Sequence, residues 1–560
     1  MKRKWMRVVW IFIWIAGCTG ATTSRETTLT EVQPTPTSSE TSIFTPTPTL
    51  TLIPSPTTIP QPVVWLDTFL PDELLRQLSE QNTFPATDQR EQANIWLEPT
   101  TPGQGQVVWV YVLVTPFSSL TEQIDFDQLK SWWQGQADEQ ALPILVTEDT
   151  ANALEPLLGK FSPLNVSIET EENLLSAAWT KRDVLAIVPF EQLQPRWKVI
   201  PLNNQSPISN QFDLNAYPLA LHYAWKASSL EVENLDIPVL TPNRDDNQLT
   251  VLVMTGVTAL VRATAVRMEQ KGMTYPGEAI GEWLREADLT HISNEVSFSP
   301  RCPDPKMDPF PLIFCSKPEY IELLESVGTD IVDLTGNHGV DWGRDALSFS
   351  LDLYRSRGWV YYAAGENLEE AQEAVFIEHN SNRFAFLGCN PAGPAYIWAG
   401  EDFGGVAPCD YDRIQQRIQQ LSEKGYIVIF TFQYFETYRH WVDDFERDDF
   451  RKPADAGAVI VSGSQAHHPM AMEFYGDSFI HYGLGNLFFD QMWVDTVTIP
   501  EGTRKEFIDR HVFYNGKHIS TELLTAYLED YARPRPMSPS ERYDFLKTIF
   551  TAAGWGPYNP

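Results

Sequence analysis

Between residues 248 and 491, apolar runs of strand length return repeatedly, and each ends in a knot of polar residues. "QLTVLVMTGVTALVR" (248–262) opens the series, with Gly256 and Val257 at the end of its apolar run. "IGEWLREADLTHISNEVSF" (280–298) ends its strand at Ser293-Asn294-Glu295, and "LLESVGTDIVDLTGNHGVDWGRDAL" (323–347) at Asn337-His338. "KGYIVIFTFQYFETY", "DAGAVIVSGSQAHHPM" and "SFIHYGLGNLFFDQ" continue the pattern up to residue 491. Helical periods alternate with these strands, so the predicted class is α/β. Such sheets collect their functional side chains at the C-terminal ends of the strands.

The N-terminus is of another kind. Lys2, Arg3, Lys4 and Arg7 precede an apolar stretch from Val8 to Ile15, and Ile15-Ala16-Gly17-Cys18 closes it. The run is too short to span a bilayer and reads as the hydrophobic part of a secretory signal. It resembles the lipobox of bacterial lipoproteins, which implies acylation (palmitate) of Cys18 at the mature N-terminus; a plain secretory signal is the alternative. Residues 19–62 are mostly Thr, Pro, Ser and Glu, as in "TPTPTLTLIPSPTTIP". That composition favours extended, uncollapsed chain, with a reach on the order of 100 Å. The reading is a leash between a membrane anchor on the outer face of the cell membrane and a globular body.

The chain carries a formal net charge of −33, and removal of the basic leader makes it more negative. That balance argues against nucleic acid as a partner, and against adhesion of the body to an anionic membrane surface. Beyond Cys18 four cysteines remain: Cys302, Cys315, Cys389 and Cys409. In an oxidising compartment an even number suggests disulfides. Three pairings are open; Cys302–Cys315 and Cys389–Cys409 are favoured because each pair brackets one stretch rich in Pro or Gly. A metal site is the alternative, although no Cys-x-x-Cys spacing is present.

Residues 63–240 alternate strand and helix signals: "GQVVWVYVLVTPF" (105–117), a helical period through Phe126, Leu129, Trp132 and Trp133, then "LPILVTED" and "DVLAIVPFEQLQPRWKVIPLN". The phrases "FSSLTEQIDFDQLKSWWQG", "LAIVPFEQLQPRWKVIPLN" and "AYPLALHYAW" resemble the type 2 periplasmic solute-binding fold, in particular its phosphate-binding branch. The resemblance implies a ligand cleft, with Phe117, Ser118 and Ser119 as candidate ligand-binding residues, since backbone N–H groups between a strand and a helix can hold an anion. A packing domain without ligand is the alternative.

"TGNHGVDWG", "AAGENLEEA" and "YGLGNLFFD", in this order, resemble the CapA family of poly-γ-glutamate capsule biosynthesis proteins. The resemblance implies a metallophosphoesterase-like α/β sandwich over residues 248–499, preceded by the smaller α/β solute-binding-like domain. It also implies an extracytoplasmic place and a link to capsule or another surface polymer. The family's metal site is matched only in part. Val257 stands where a carboxylate is expected; Gln433, Ser464 and Gln465 stand near expected imidazoles. Two-metal sites need many N and O ligands and usually a bridging carboxylate, so a dinuclear centre is not expected. What remains is either one divalent metal (Mn or Zn) on Glu295, Asn337 and His467, or a metal-free polar cluster. His338, Glu295 and Asp341 are the candidate catalytic residues, with His338 as general acid or hydrogen-bond donor. Two function classes follow: an enzyme-derived protein of polymer biosynthesis or processing, or a non-catalytic envelope ligand-binding lipoprotein.

The acidic run from Asp443 to Asp449 lacks the spacing of a calcium loop and reads as a solvated face. Residues 500–560 read as a helical extension: an amphipathic helix over 520–534, then a second helix opened by Ser538 and Glu541 as a capping box.

Overall fold

The computed structural model describes residues 62–556, apart from 68, 82–83, 137, 229–236, 309 and 493–499. The leader, Cys18 and nearly all of the Thr/Pro-rich stretch lie outside the described residues. The chain is mixed α/β, as its alternation predicts, and is built on three main sheets.

The N-terminal half is a nine-stranded sheet. Its long strand, Val107–Pro116, is buried from Trp109 onward. That strand pairs antiparallel with Leu185–Pro189, Trp197–Val199 and Ala220–Ala227. The helix Phe126–Trp133 falls where the helical period puts it, and Glu148–Leu158 and Glu171–Lys181 are two further helices of this half.

The C-terminal half is a sandwich. In one sheet Leu249–Thr258, Leu289–Asn294, Ile331–Asp333 and Val360–Tyr362 run parallel. In the other, Asn382–Cys389, Ile427–Gln433, Ile460–Ser464 and Ser478–His481 do the same. The facing sides are apolar and aromatic: Leu252, Met254 and Phe507 meet Phe384, Phe386 and Phe479 in one buried cluster. Helices cover the outer faces, for example Arg344–Arg355 on the first sheet and Tyr411–Glu423 on the second. Parallel strands with helices on both outer faces put all their C-terminal ends along one edge. The sheets touch there, where Ser293 Oγ lies 3.1 Å from Ser464 Oγ. Gly256 is required at this edge, because a Cβ would stand 2.2 Å from the carbonyl oxygen of Gly485.

Residues 500–560 differ from expectation. The segment expected as an amphipathic helix over 520–534 lies instead largely in a strand, Lys517–Glu529. It pairs antiparallel with Lys505–Tyr514, which itself pairs with Leu249–Thr258, so the sandwich gains edge strands rather than a helical appendage. Asn515 and Gly516, both at positive φ, make the hairpin turn. Asn-Gly is the pair that such a turn favours, and that local signal outranks a loose helical period. The capping box is present: Ser538 and Glu541 exchange side-chain and backbone bonds at the start of Pro539–Ala552.

Both favoured disulfides form, Cys302–Cys315 and Cys389–Cys409. Replacing either pair by serine is expected to cost about 2–4 kcal/mol, since each bond restricts the unfolded chain. Urea unfolding of the paired-serine variants measures this, and a midpoint unchanged from wild type contradicts it.

The described residues belong to one compact unit, and the halves meet through aromatic rings. Phe117 packs on Phe474, Phe479, Phe550 and Trp555 at centroid distances of 5.1, 5.6, 6.3 and 5.8 Å. Trp179 joins Phe474 and Trp555, and Arg182 Nη1 donates to the Trp555 carbonyl at 2.6 Å.

Candidate functional site

The joined C-terminal edge of the sandwich carries a buried polar cluster. Glu295 is the first residue beyond the strand Leu289–Asn294 and is 2% exposed. Gly336 lets the next loop pass directly over it, for a Cβ there would stand 2.6 Å from the Glu295 Cα. Asn337 and His338 follow in that loop. Gln433 ends the strand Ile427–Gln433, paired in register with Ser464. Gln465 and His467 follow Ser464, and both adopt positive φ, 75° and 52°. Left-handed backbone at non-glycine residues is sterically costly and gathers at functional loops. Here it turns Gln465 back into the edge.

Gln433 is the hub. Its Nε2 donates to Glu295 Oε1 at 3.1 Å, to Asn337 Oδ1 at 3.3 Å, and to Gln465 Oε1. Two buried acceptors here have no donor, Glu295 Oε2 and Gln433 Oε1.

His338 stands beside this cluster. Its Nδ1 lies 2.6 Å from Asp341 Oδ2, which also accepts from the Phe314 backbone N–H at 2.9 Å. Burial disfavours the charged imidazole. The Asp341 hydrogen bond and the charges of Glu295 and Asp341 outweigh that and raise His338 above its ordinary value. The Nδ1–Asp341 bond leaves Nε2 as the remaining polar atom of the ring, the arrangement of an oriented proton donor.

His467 reaches the same edge from the other sheet. Its Nδ1 is 2.8 Å from Asn486 Oδ1, and its ring lies 5.2 Å from that of Phe489. The His338 ring lies 4.5 Å from Phe314. Arg262 bridges the two phenyl rings, its guanidinium 5.0 Å from Phe314 and 4.8 Å from Phe489, and it is anchored by Asp490. Glu295, Asn337, Gln433 and Gln465 thus form one hydrogen-bonded group, His338 is coupled to it by charge, and His467 joins through the Phe314–Arg262–Phe489 stack. Arg262 escaped the sequence reading, since a lone arginine at a helix start carries no motif.

Val257 is fully buried in an apolar group with Ala259, Val261, Val296, Phe314 and Phe489. Asn294 is turned inward, donating to the Val296 carbonyl and the Tyr354 hydroxyl. His468 packs on His440, and burial pushes it down to about 4. The acidic run is not wholly a solvated face: Glu446 is buried, and Asp449 accepts from the hydroxyls of Tyr411 and Tyr434.

These donors do not suit a metal as they stand. Among the described residues no group of three or more His, Cys, Asp or Glu could hold a metal ion. The point on which three oxygens converge is taken by the Gln433 amide, and the apolar Val257 supplies no bridging carboxylate. The unpaired Glu295 Oε2 and Gln433 Oε1 are the features in favour of a cation.

Phe117, Ser118 and Ser119 lie in the contact between the halves rather than in an open cleft of the N-terminal sheet. All three are buried, because the C-terminal aromatic cluster closes over the turn that precedes the helix. Phe117 borders a cavity of about 230 Å³ together with Lys198, Trp283, Leu523, Arg542 and Phe550. Lys198 and Arg542 there share Glu122, at 2.9 and 3.1 Å. No helix of the described residues is long and apolar enough to cross a membrane.

Residues 251–491 match the family described as "Bacterial capsule synthesis protein PGA_cap". The capsule biosynthesis protein CapA of Bacillus anthracis is 24% identical over 260 residues, covering 45% of this chain and 63% of the relative. The PGA biosynthesis protein CapA of Bacillus subtilis (strain 168) is 26% identical over 179 residues, covering 32% and 47%. The chain therefore spans less than two thirds of the length of these curated relatives. Of solved structures, a 5'-nucleotidase precursor from Thermus thermophilus aligns with a TM-score of 0.31 at 13% identity, over 55% of this chain and 58% of that one. Residues 251–491, which hold the core of the sandwich and its polar edge, are where this chain is similar to the capsule synthesis proteins.

Proposed function

We propose that this chain is a lipid-anchored extracytoplasmic protein that serves the biosynthesis or processing of a capsule or surface polymer, either poly-γ-glutamate or a polysaccharide. Cys18 holds it to the outer face of the cell membrane, the Thr/Pro-rich stretch spaces the body from the surface, and the solute-binding-like half lies between leash and sandwich. The observation that carries the reading is the polar edge of Glu295, Asn337, His338, Gln433 and Gln465, which lies inside the segment matching the capsule synthesis family. The metal site of that family is degenerate here, and Glu295, Asn337 and His467 are what remains of its donor set. The edge then works by recognising polymer, with hydrogen-bonding amides as its means. A second reading keeps chemistry at the edge. It is favoured by the Asp341–His338 pair with Glu295 nearby, which raises His338 above its ordinary value and orients it as a proton donor.

The test is deletion of the chain from its host, followed by measurement of envelope-bound polymer. Surface polymer is expected to fall several-fold and to return with the wild-type chain. Unchanged polymer in the deletion strain overturns the reading. Complementation with His338→Ala then separates the alternatives: a binder retains most of its effect, whereas an enzyme loses it.

A further inference from the structure

We propose that the side-chain amide of Gln433 occupies the place a divalent cation would take between Glu295, Asn337 and Gln465 at this sheet edge, so that no metal is held there. This goes beyond the proposed function and holds whichever polymer the chain serves. Oxygens drawn from separate loops toward one point are what a hard or borderline cation needs. Three such oxygens converge here: Glu295 Oε1, Asn337 Oδ1 and Gln465 Oε1. At their focus stands Gln433 Nε2, whose two hydrogens carry partial positive charge. Glu295 can only accept, so the Gln433 amide turns its nitrogen rather than its oxygen toward that carboxylate. Gln433 is wholly buried, and its strand is fixed in register between the strands on either side of it. A cation could take that focus only by displacing it.

The charge balance agrees. A two-metal centre gathers several carboxylates, whereas Glu295 is the one carboxylate in this hydrogen-bonded group and Val257 replaces the second with an apolar side chain.

The isosteric variant Gln433→Glu tests this with the full chain. It replaces the donor by an oxygen of the same size and sets two carboxylates about 3 Å apart, an arrangement that demands a cation or a proton. Wild type is expected to bind neither Mn²⁺ nor Zn²⁺ stoichiometrically in calorimetric titration, and to melt at the same temperature in EDTA as in Mn²⁺. Gln433→Glu is expected to melt lower in EDTA and to recover with Mn²⁺ as it takes up the ion. Wild type that retains one metal ion per chain through dialysis overturns the proposal. So does Gln433→Glu melting at the wild-type temperature in EDTA. Should the variant fail to fold, the metal content of the wild type decides alone.

Discussion

Phe117→Ala is expected to lower the stability of the full chain by about 3–5 kcal/mol. The side chain is 2% exposed, and its ring touches four others contributed by the C-terminal half. Truncation removes that burial and the edge-to-face contacts, each worth roughly 0.5–1.5 kcal/mol beyond area alone. The vacated space also opens onto the existing cavity bordered by Phe117, Trp283 and Phe550. Those walls belong to both halves, so the site cannot easily collapse, and incomplete relaxation drives such losses to the upper end of their range. Urea unfolding followed by tryptophan fluorescence measures it, with Trp179 and Trp555 reporting from within the cluster. Leu164→Ala, at a residue 89% exposed, is the control and should stay within about 0.5 kcal/mol of wild type. A Phe117→Ala loss below about 1 kcal/mol would show that the halves are joined elsewhere.

The strands of the sandwich are legible because their apolar runs are long and each ends in polar residues, and the two disulfides because each pair brackets one Pro- or Gly-rich stretch. Residues 520–534 are not. Their buried positions include Ser520, Thr521 and Thr525, so hydrophobicity alone gives a blurred period, and the Asn515-Gly516 turn that fixes the hairpin lies outside the segment being read. Phe117 illustrates a different limit. A phenylalanine after a strand suits a ligand pocket or a packing contact equally well, and what decides is a helix and turn more than 400 residues later, at Phe550 and Trp555. At the polar edge, motif spacing alone places Glu295, Asn337, His338 and His467 at strand ends. Gln433 and Gln465 read in sequence as lost imidazoles. Only the folded chain puts one amide nitrogen among three oxygens, since that depends on the register between Gln433 and Ser464 and on the positive φ of Gln465.

Between pH 7 and pH 4 the wild-type chain is expected to lose about 3 kcal/mol of stability relative to His291→Gln. His291 lies on the strand Leu289–Asn294, 1% exposed, between the two sheets. Its Nε2 is 2.7 Å from the Tyr362 hydroxyl, its Nδ1 has no partner, and its ring stacks on Phe386. Burial pushes it down to about 3. The unfolded chain takes up the proton near 6.5 and the folded chain only near 3, so the neutral imidazole's stability is complete above 6.5 and is lost as pH falls toward 3. At pH 4 that difference amounts to about 3 kcal/mol, at roughly 1.4 kcal/mol per pH unit. His511, also buried, and His518, half-buried, are pushed down by desolvation in the same way. Two carboxyls act in the opposite sense: desolvation raises the half-buried Asp330 and the buried Asp333 to about 6, so acid relieves a penalty there. The absolute acid profile therefore mixes both signs, whereas the wild-type minus His291→Gln difference isolates the imidazole. Guanidinium unfolding of both proteins at pH 7, 5.5 and 4 reads that difference. One that does not change with pH would mean that His291 is protonated in the fold or reached by solvent, and that the sandwich opens at Tyr362 more readily than its packing implies.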